Sequence, residues 1–138
     1  HNIAGFGKAC QLVPMLIAHS GKTQLLKAYF IQKLKKAKSD IIINSPTEHC
    51  LPNTISVSFP GINSRELMMM LDYHGISVSA GSACNSQQNK PSHVLQAIGL
   101  NDKAAQETLR ISFGKDTKRS DLKFTIRIIT KYLRSNVI

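Results

Sequence analysis

Two spacings of apolar residues alternate along the chain and predict its order of helices and strands. Apolar residues three or four positions apart are typical of helices, and apolar residues two positions apart are typical of strands. On this basis the predicted helices are 7–18, 22–38, the end of 60–75, 91–100, 102–108 and 118–133, and the predicted strands are 40–44, 54–59, 76–79 and 109–114. Strands that alternate with helices favour an α/β or α+β domain of two layers.

Individual residues add detail to the predicted helices. Asn63 is a good N-cap with Glu66 three residues on, and Gly75 suits the left-handed position after the helix. We expect Pro14 near the start of the first helix or at a kink. The buried stripe of the helix at 22–38 is predicted to contain Leu25, Leu26, Tyr29, Phe30, Leu34 and Ala37, with lysines on the opposite side.

The chain length suits one domain. At 138 residues, with 42% hydrophobic residues, the chain can form a single modest core. We expect a small, mostly antiparallel sheet covered on one side by helices, with long helices at both ends of the chain. The start of the sequence has no signal-peptide pattern. Because the sequence begins at His1, without an initiator methionine, we expect it to be a fragment or a trimmed chain.

The charge is strongly basic and bears on the choice of partner. Eighteen Lys and Arg against eight Asp and Glu give a net charge of +10, which favours nucleic acid, anionic lipid or an acidic protein. Aromatic residues make up only 6% and are not interleaved with the basic clusters, which argues against nucleic acid. No apolar run approaches the ~20 residues that cross a bilayer, which argues against a membrane protein.

The cysteines indicate a reducing compartment. The three cysteines, Cys10, Cys50 and Cys84, are odd in number and form no C-x-x-C motif. A disulfide framework and a zinc site are therefore disfavoured, and we expect a cytoplasmic protein. Cys10, within a predicted helix, and Cys50, in a loop flanked by proline, are interpreted as packing or incidental cysteines.

Cys84 stands apart because its neighbours are polar. The stretch "GSACNSQQNKPSH" at 81–93 joins a predicted strand to a predicted helix that begins near Ser92. A reactive thiol needs access, and a helix N-terminus or a nearby cation raises its thiolate fraction. The sequence alone leaves two interpretations of Cys84 open, a functional thiol and an exposed thiol with no task.

Arg110 is the second candidate. In the strand at 109–114, Leu109, Ile111 and Phe113 share one face, so Arg110 and Ser112 share the other. A guanidinium in this position can hold a carboxylate through two parallel hydrogen bonds. The alternative is an arginine that merely faces solvent on an edge strand.

The remaining polar residues form no known motif. His49, His74 and His93 have no metal-ligand spacing, and "His49-Cys50" is only one adjacent pair. The run 68–70 of three methionines is interpreted as core and interface filler. The sequence contains no phosphate-binding glycine loop, no H-E-x-x-H and no catalytic triad motif.

Three stretches carry a family resemblance. They are "LPNTISVSFPGINSRELMMMLDYHGISVSAGSACNSQQNKPSHVLQAIGL" at 51–100, "LRISFGKDTKRSDLKFTI" at 109–126 and "NIAGFGKACQL" at 2–12. Together they resemble the C-terminal part of NifS/IscS-type cysteine desulfurases, pyridoxal-phosphate enzymes of fold type I grouped with the class V aminotransferases. The resemblance rests above all on the G-S-A-C block and the downstream R-x-S-x-G.

The resemblance implies a role for both candidates. Cys84 matches the nucleophile that takes sulfur from L-cysteine and holds it as a persulfide, leaving L-alanine. Arg110 matches the residue that binds the α-carboxylate of the substrate. The distance in sequence from Cys84 to Ser92 is similar to that of the long-loop branch, which feeds iron–sulfur scaffold proteins, and Cys84 is then also a candidate for a transient iron–sulfur ligand. In this chain on its own we expect residues 82–90 to be poorly ordered, or held in a conformation set by crystal contacts, with Cys84 far from Arg110.

The chain also departs from the family pattern. It reads "SAGSACNS" with Ala80 and Asn85, where family members often read S-S-G-S-A-C-T-S. The family's cofactor lysine lies in a Ser-x-His-Lys motif of a preceding large domain, and this motif does not occur in the 138 residues. Residues 1–138 therefore resemble the C-terminal small domain alone, for which we expect no bound pyridoxal phosphate, no cofactor-binding residues, no metal site and no activity.

The resemblance also implies partners. The full-length parent is expected to be a homodimer that acts on L-cysteine with pyridoxal 5'-phosphate and transfers sulfur to an iron–sulfur scaffold or another acceptor. Two alternatives remain open from the sequence, a selenocysteine lyase-like activity and a stand-alone persulfide carrier without cofactor chemistry. The net charge favours an acidic acceptor surface.

Overall fold

The chain forms six helices and three strands within the ranges that the structure describes. A computed structural model describes residues 1–18, 20–46, 48–81 and 92–136. In chain order the elements are α1 (Asn2–Ala18), α2 (Ser20–Ala37), β1 (Ile42–Ile43), β2 (Thr54–Ser58), α3 (Ser64–Tyr73), α4 (His93–Ala97), α5 (Asp102–Gln106), β3 (Thr108–Ser112) and α6 (Arg119–Ser135).

The sheet is antiparallel and small, as predicted. Its strand order is β1-β2-β3, and both strand pairs are antiparallel. In the β2–β3 register Ile55 lies opposite Ile111, and Ser56 lies opposite Arg110. Because side chains alternate between faces, one face of this pair is apolar and the other is polar.

The helices cover the apolar face and complete a single core. Phe30 of α2 and Phe113 just after β3 are both buried, and their rings meet edge to face with centroids 5.7 Å apart. Helix α6 packs against both α2 and α3. The other fully buried apolar side chains of this core are Leu34, Ile55, Val57, Phe59, Leu67, Leu71, Leu109 and Ile129. The predicted two-layer α/β class, with long helices at both ends, is confirmed.

The predicted ends of α3 are confirmed. The side chain of Asn63 accepts hydrogen bonds from the backbone N–H groups of Arg65 and Glu66. At the other end Gly75 has φ +73°, and its N–H donates to the carbonyl of Asp72. A glycine takes this left-handed conformation without the steric cost of a β-carbon.

The predicted strand at 76–79 is wrong. The N–H of Ile76 donates to the carbonyl of Leu71 and so completes the C-terminal cap of α3 instead of a ladder. Within the segment 76–79, Ser79 is the one residue that pairs with β3, through an isolated bridge to Arg110. The helix cap uses the N–H of Ile76, the first residue of the predicted strand. Gly81, with φ +73°, turns the chain two residues after the bridge.

The buried stripe of α2 also differs from the prediction. Leu25 is 74% exposed and Ala37 is exposed, whereas Lys27 is only 8% exposed. The core face of α2 is centred on Phe30 and Leu34, and Lys27 lies one turn before Phe30 on that face. One lysine of α2 is therefore buried instead of lying on the solvated side.

The first helix and first strand are more exposed than predicted. Every residue of α1 is exposed, including Ile3 at 89% and Phe6 at 73%, and Pro14 lies inside the helix. Of the predicted strand at 40–44, only Ile42 and Ile43 form β1, although the N–H of Asn44 still donates to the Ser56 carbonyl of β2, and Ile42 is 51% exposed. None of the helices in the described ranges is long and apolar enough to cross a membrane.

Candidate functional site

Arg110 lies on the polar face of the sheet, as its position in the strand predicts. It is exposed, while its neighbours Leu109 and Ile111 are buried in the core. Hydroxyl residues of both strands share this face, among them Ser112 of β3 and Thr54 of β2, whose side-chain oxygens lie 3.4 Å apart. The surroundings of the guanidinium are thus polar and open to solvent.

Ser79 holds Arg110 at the edge of β3 that faces away from β2. The N–H of Arg110 donates to the carbonyl of Ser79 at 2.7 Å, and the N–H of Ser79 donates to the carbonyl of Arg110 at 3.0 Å. The Arg110 Nη2 also donates to the Ser79 hydroxyl at 3.4 Å. Sequence reasoning missed Ser79, because its segment was interpreted as a regular strand.

The guanidinium of Arg110 has capacity for an anionic ligand. Across the described ranges no carboxylate lies within ion-pair distance of it, and its one side-chain hydrogen bond is to the neutral Ser79. A guanidinium carries five N–H donors in a planar fork that matches a carboxylate. Arg110 is therefore an accessible cation that has no acidic partner among the described residues, with the chemistry of a group that can bind a carboxylate.

The structure does not test the placement of Cys84. This residue, together with the predicted disorder of 82–90 and the predicted separation from Arg110, lies outside the described residues. The described chain reaches Gly81, two residues after the Ser79–Arg110 bridge, and resumes at Ser92. Ser92 is the N-cap residue of α4, which bears out the predicted helix start.

The other candidate residues are dispersed. Within the described part of the chain no three His, Cys, Asp or Glu residues form a group that could hold a metal. The His74 ring nitrogen Nδ1 lies 2.9 Å from the Met70 carbonyl at the end of α3. Cys10 is exposed on α1, and Cys50 is half-buried.

Lys27, the buried lysine among the described residues, does not fit the role of a cofactor lysine. Its Nζ donates to the Leu51 carbonyl at 3.0 Å and to the Cys50 Sγ at 3.2 Å. An amine held in this way on the core side of α2 is not presented to the Arg110 face of the sheet.

Fold and site together define an α/β domain that presents an exposed arginine on the edge strand of its small antiparallel sheet. The chain belongs to the aminotransferase class-V family, whose model matches residues 1–124. That match spans the whole sheet and most of the helices.

Individual relatives agree with this assignment. The chain is 34% identical to the cysteine desulfurase IscS of Dictyoglomus turgidum over 132 residues, which are 95% of the chain and 34% of that protein. It is 34% identical to the cysteine desulfurase IscS of Neisseria gonorrhoeae over 130 residues, 94% of the chain and 31% of that protein. The chain thus spans about a third of the length of the curated relatives it matches.

Solved structures show the same fold. A NifS-like protein from Rickettsia africae superposes with a TM-score of 0.81 at 28% identity, covering 96% of the chain and 34% of that structure. A second NifS-like protein gives a TM-score of 0.74 at 30% identity, covering 88% and 30%. Both likenesses extend over nearly all of the chain, so the small sheet and its helices form one recurring unit.

Proposed function

We propose that residues 1–138 are the C-terminal small domain of a pyridoxal-phosphate-dependent cysteine desulfurase. The observation that carries the proposal is the unpaired Arg110, held by Ser79 at the sheet edge from which the chain leads to Cys84. The similarity to proteins named cysteine desulfurase IscS supports it over 95% of the chain. The whole enzyme is expected to release L-alanine and transfer the sulfur of L-cysteine.

Arg110 binds and orients the substrate in this proposal. Its guanidinium donates two hydrogen bonds to the α-carboxylate of L-cysteine, while the backbone bridge to Ser79 keeps the strand edge in place. Binding through the carboxylate leaves the thiol end of the substrate free. The contribution of Arg110 is therefore to substrate capture and orientation.

Cys84 accepts the sulfur. Its thiolate attacks the sulfur atom of the bound L-cysteine, a sulfur–sulfur bond forms, and the carbon–sulfur bond of the substrate breaks. The electron pair of that bond remains with the carbon skeleton, which takes up a proton and leaves as L-alanine. The remainder of the enzyme supplies the lysine and the pyridoxal phosphate, which serves as the electron sink.

The proposal includes partners and location. The persulfide on Cys84 passes its sulfur to an iron–sulfur scaffold or another acceptor, and the net charge of +10 favours an acidic docking surface on that acceptor. The full-length enzyme is a homodimer in the reducing cytoplasm, where a persulfide-forming thiol is kept available. A selenocysteine lyase-like activity is the alternative at the level of the substrate.

The role of Arg110 is tested in the full-length enzyme with two substrates. Arg110→Ala is expected to lower kcat/KM for L-cysteine on the order of a hundredfold, because it removes a paired carboxylate contact. For the methyl ester of L-cysteine, which lacks the carboxylate charge, the same change is expected to have little effect. Arg127→Ala, which removes an exposed arginine of α6, is the matched control.

Equal losses with the acid and the ester would contradict the assignment of Arg110 to the carboxylate. The 138-residue chain on its own is expected to form no alanine, with or without added pyridoxal phosphate. If the chain instead acquired a persulfide from another enzyme but never formed alanine in any longer form, a stand-alone carrier would be the better description.

A further inference from the structure

Helix α1 exposes apolar side chains along its whole length. None of its residues is buried, and Ile3 is 89% exposed, Phe6 73% and Ile17 65%. Single exposed apolar residues are common on protein surfaces, whereas a contiguous set of them marks a surface that contacts a partner. The one charged residue of the helix is Lys8.

The spacing of these residues places five of them on one side of the helix. Ile3, Phe6, Cys10, Val13 and Ile17 follow one another at intervals of three or four residues. This set is called the α1 stripe below. Alternating intervals of three and four are the pattern by which one helix packs along another. The α1 stripe thus has the form of a helix-packing surface, and the described residues leave it exposed.

An open, mostly apolar groove continues the α1 stripe toward the core. Val13 and Ile17 of the stripe line this groove together with Leu51 and Phe113. Its volume is about 660 Å³. The stripe and the groove therefore form one continuous apolar surface.

The sequence of α1 does not stabilise a helix that stands alone. Gly5 and Gly7 have low helix propensity, and Pro14 lies inside the helix without an N–H to donate. Most helices in proteins owe their stability to the packing of an apolar face. We therefore expect α1 to be covered in the functional protein.

The composition of α1 favours a permanent protein contact. A helix that lies on a membrane surface usually has a strongly basic polar face, which Lys8 alone does not supply. Surfaces that bind and release partners are about as polar as the rest of a protein, whereas permanent interfaces resemble a protein interior. The α1 stripe contains four apolar residues and a cysteine, so it fits a permanent interface.

In the relatives, the region that matches α1 is part of a much longer chain. The family match begins at residue 1 and so includes α1. The superposition on the NifS-like protein from Rickettsia africae covers 96% of the chain, so it includes most of α1. About two thirds of that protein, and of the matched IscS proteins, lie outside the matched part. This remainder is the protein surface available to cover α1 within one chain.

We propose that the α1 stripe and the adjoining groove are the surface on which the remaining two thirds of the full-length enzyme pack, through an apolar helix face. The proposal rests on the proposed function, because it takes the chain to be part of that longer enzyme. The contact holds the domain that carries Arg110 against the rest of the enzyme. In the 138-residue chain on its own the stripe stays exposed, so Ile3 and Phe6 contribute little to the stability of that chain.

Cys10 reports directly on whether the stripe is covered. Its thiol is exposed on α1, between Phe6 and Val13 of the stripe. In the native full-length enzyme we expect iodoacetamide to alkylate Cys10 on the order of a hundredfold more slowly than in the same enzyme unfolded in urea, because a covered thiol reacts only when the contact opens. Peptide mass analysis measures both rates.

Tyr73→Cys provides the matched control for access. Tyr73 is 88% exposed on α3 and lies outside the stripe and the groove. A cysteine at this position should react at nearly the same rate in the native and the unfolded enzyme. A difference between this position and Cys10 then belongs to the α1 surface and not to the reagent.

A photo-reactive group in place of Phe6 identifies what covers the stripe. In the full-length enzyme with Phe6→benzoylphenylalanine, irradiation is expected to link position 6 to a residue outside 1–138 of the same chain. The product should migrate with the mass of a single chain, and peptide mass analysis should locate the link. Tyr73→benzoylphenylalanine should form no such link, because Tyr73 faces solvent.

Three results would overturn the proposal. One is alkylation of Cys10 at the same rate in the native and the unfolded enzyme, since the stripe would then be open to solvent. Another is a cross-linked product of twice the mass, since a second copy would then cover the stripe. The third is a link only to residues within 1–138, since α1 would then fold back on its own domain.

Neither readout uses catalysis, so the proposed function is tested separately by L-alanine formation in the same preparation. An enzyme that forms alanine while Cys10 stays open to alkylation would refute the α1 surface alone. An inactive enzyme with a protected Cys10 and a link to the remainder would support the α1 surface and contradict the proposed function.

Discussion

A chain of hydrogen bonds runs from Asn44, just after β1, through β2 to β3, and it predicts a large loss of stability from one small substitution. Asn44 Nδ2 donates to the Ser58 hydroxyl at 2.8 Å, and the hydroxyls of Ser58 and Thr108 lie 2.7 Å apart. Thr108 donates to the Ala104 carbonyl at 2.6 Å, so its oxygen must accept from Ser58. The direction of the whole chain is thereby fixed.

Thr108→Val interrupts this chain without changing the shape of the side chain much. Ser58 is 1% exposed and Thr108 is 2% exposed, so the Ser58 proton would lose its acceptor in a place that water does not reach. A buried donor left without a partner costs about 1–3 kcal/mol, and the hydrogen bond itself contributes about 1 kcal/mol. We therefore expect a loss of roughly 2–3 kcal/mol in the free energy of unfolding.

Thr125→Val is the matched control. Thr125 is 8% exposed, and its hydroxyl donates only to the Asp121 carbonyl one turn earlier in α6. That carbonyl keeps its helical partner after the change, so we expect an effect within about 0.5 kcal/mol. The double variant Ser58→Ala with Thr108→Val also removes the Ser58 hydroxyl that would lack an acceptor, so it should recover much of the lost stability.

Urea unfolding followed by circular dichroism measures these differences. With a slope of about 2 kcal/mol/M, Thr108→Val should lower the midpoint by roughly 1 M without changing the slope. The reasoning would be refuted if Thr108→Val cost no more than Thr125→Val. It would also fail if the double variant lost more free energy of unfolding than the sum of the losses in the two single variants.

Other expectations concern titration, the exposed helix and thiol reactivity. Burial, and then the negative charge of Glu66, raise the pKa of Tyr132 above 10.0. The contribution of this group to stability is therefore full below pH 10.0 and is lost as the pH rises through its folded pKa. Glu66→Gln should lower the pH at which the phenol absorbance of Tyr132 titrates. Ile3→Ser with Phe6→Ser should change the free energy of unfolding by less than about 0.5 kcal/mol, since both side chains are exposed, and a larger loss in urea unfolding would show that α1 packs more tightly. A general alkylating reagent should modify Cys84 faster than the other two cysteines, and the slowest reaction at Cys84 would speak against a reactive thiol there.

Local rules predicted much of the fold because they act within a few residues. The cap of α3 needs only Asn63 and Gly75 in place, and both are visible in the sequence. The two faces of β3 follow from alternation alone, which placed Arg110 on the polar face before any contact was known. Such features depend on neighbouring residues and not on the rest of the fold.

The features that the sequence did not predict depend on contacts between residues that are far apart in the chain. Whether Ile76 starts a strand or completes a helix cap depends on which carbonyl its N–H reaches, and a periodic pattern does not contain that information. Lys27 is buried because its amine finds Leu51 and Cys50, more than twenty residues away, which no helical stripe reveals. The contact of Ser79 with Arg110 is of the same kind.

The central claim is that Cys84 receives sulfur from L-cysteine, and one measurement tests it most directly. The full-length enzyme is incubated with sulfur-labelled L-cysteine in the absence of an acceptor or reductant, and peptide mass analysis locates the label. The account predicts one added labelled sulfur on Cys84, with L-alanine released in equal amount, and no persulfide in Cys84→Ser although pyridoxal phosphate remains bound. Labelled sulfur on another cysteine, or persulfide that persists in Cys84→Ser, would contradict it.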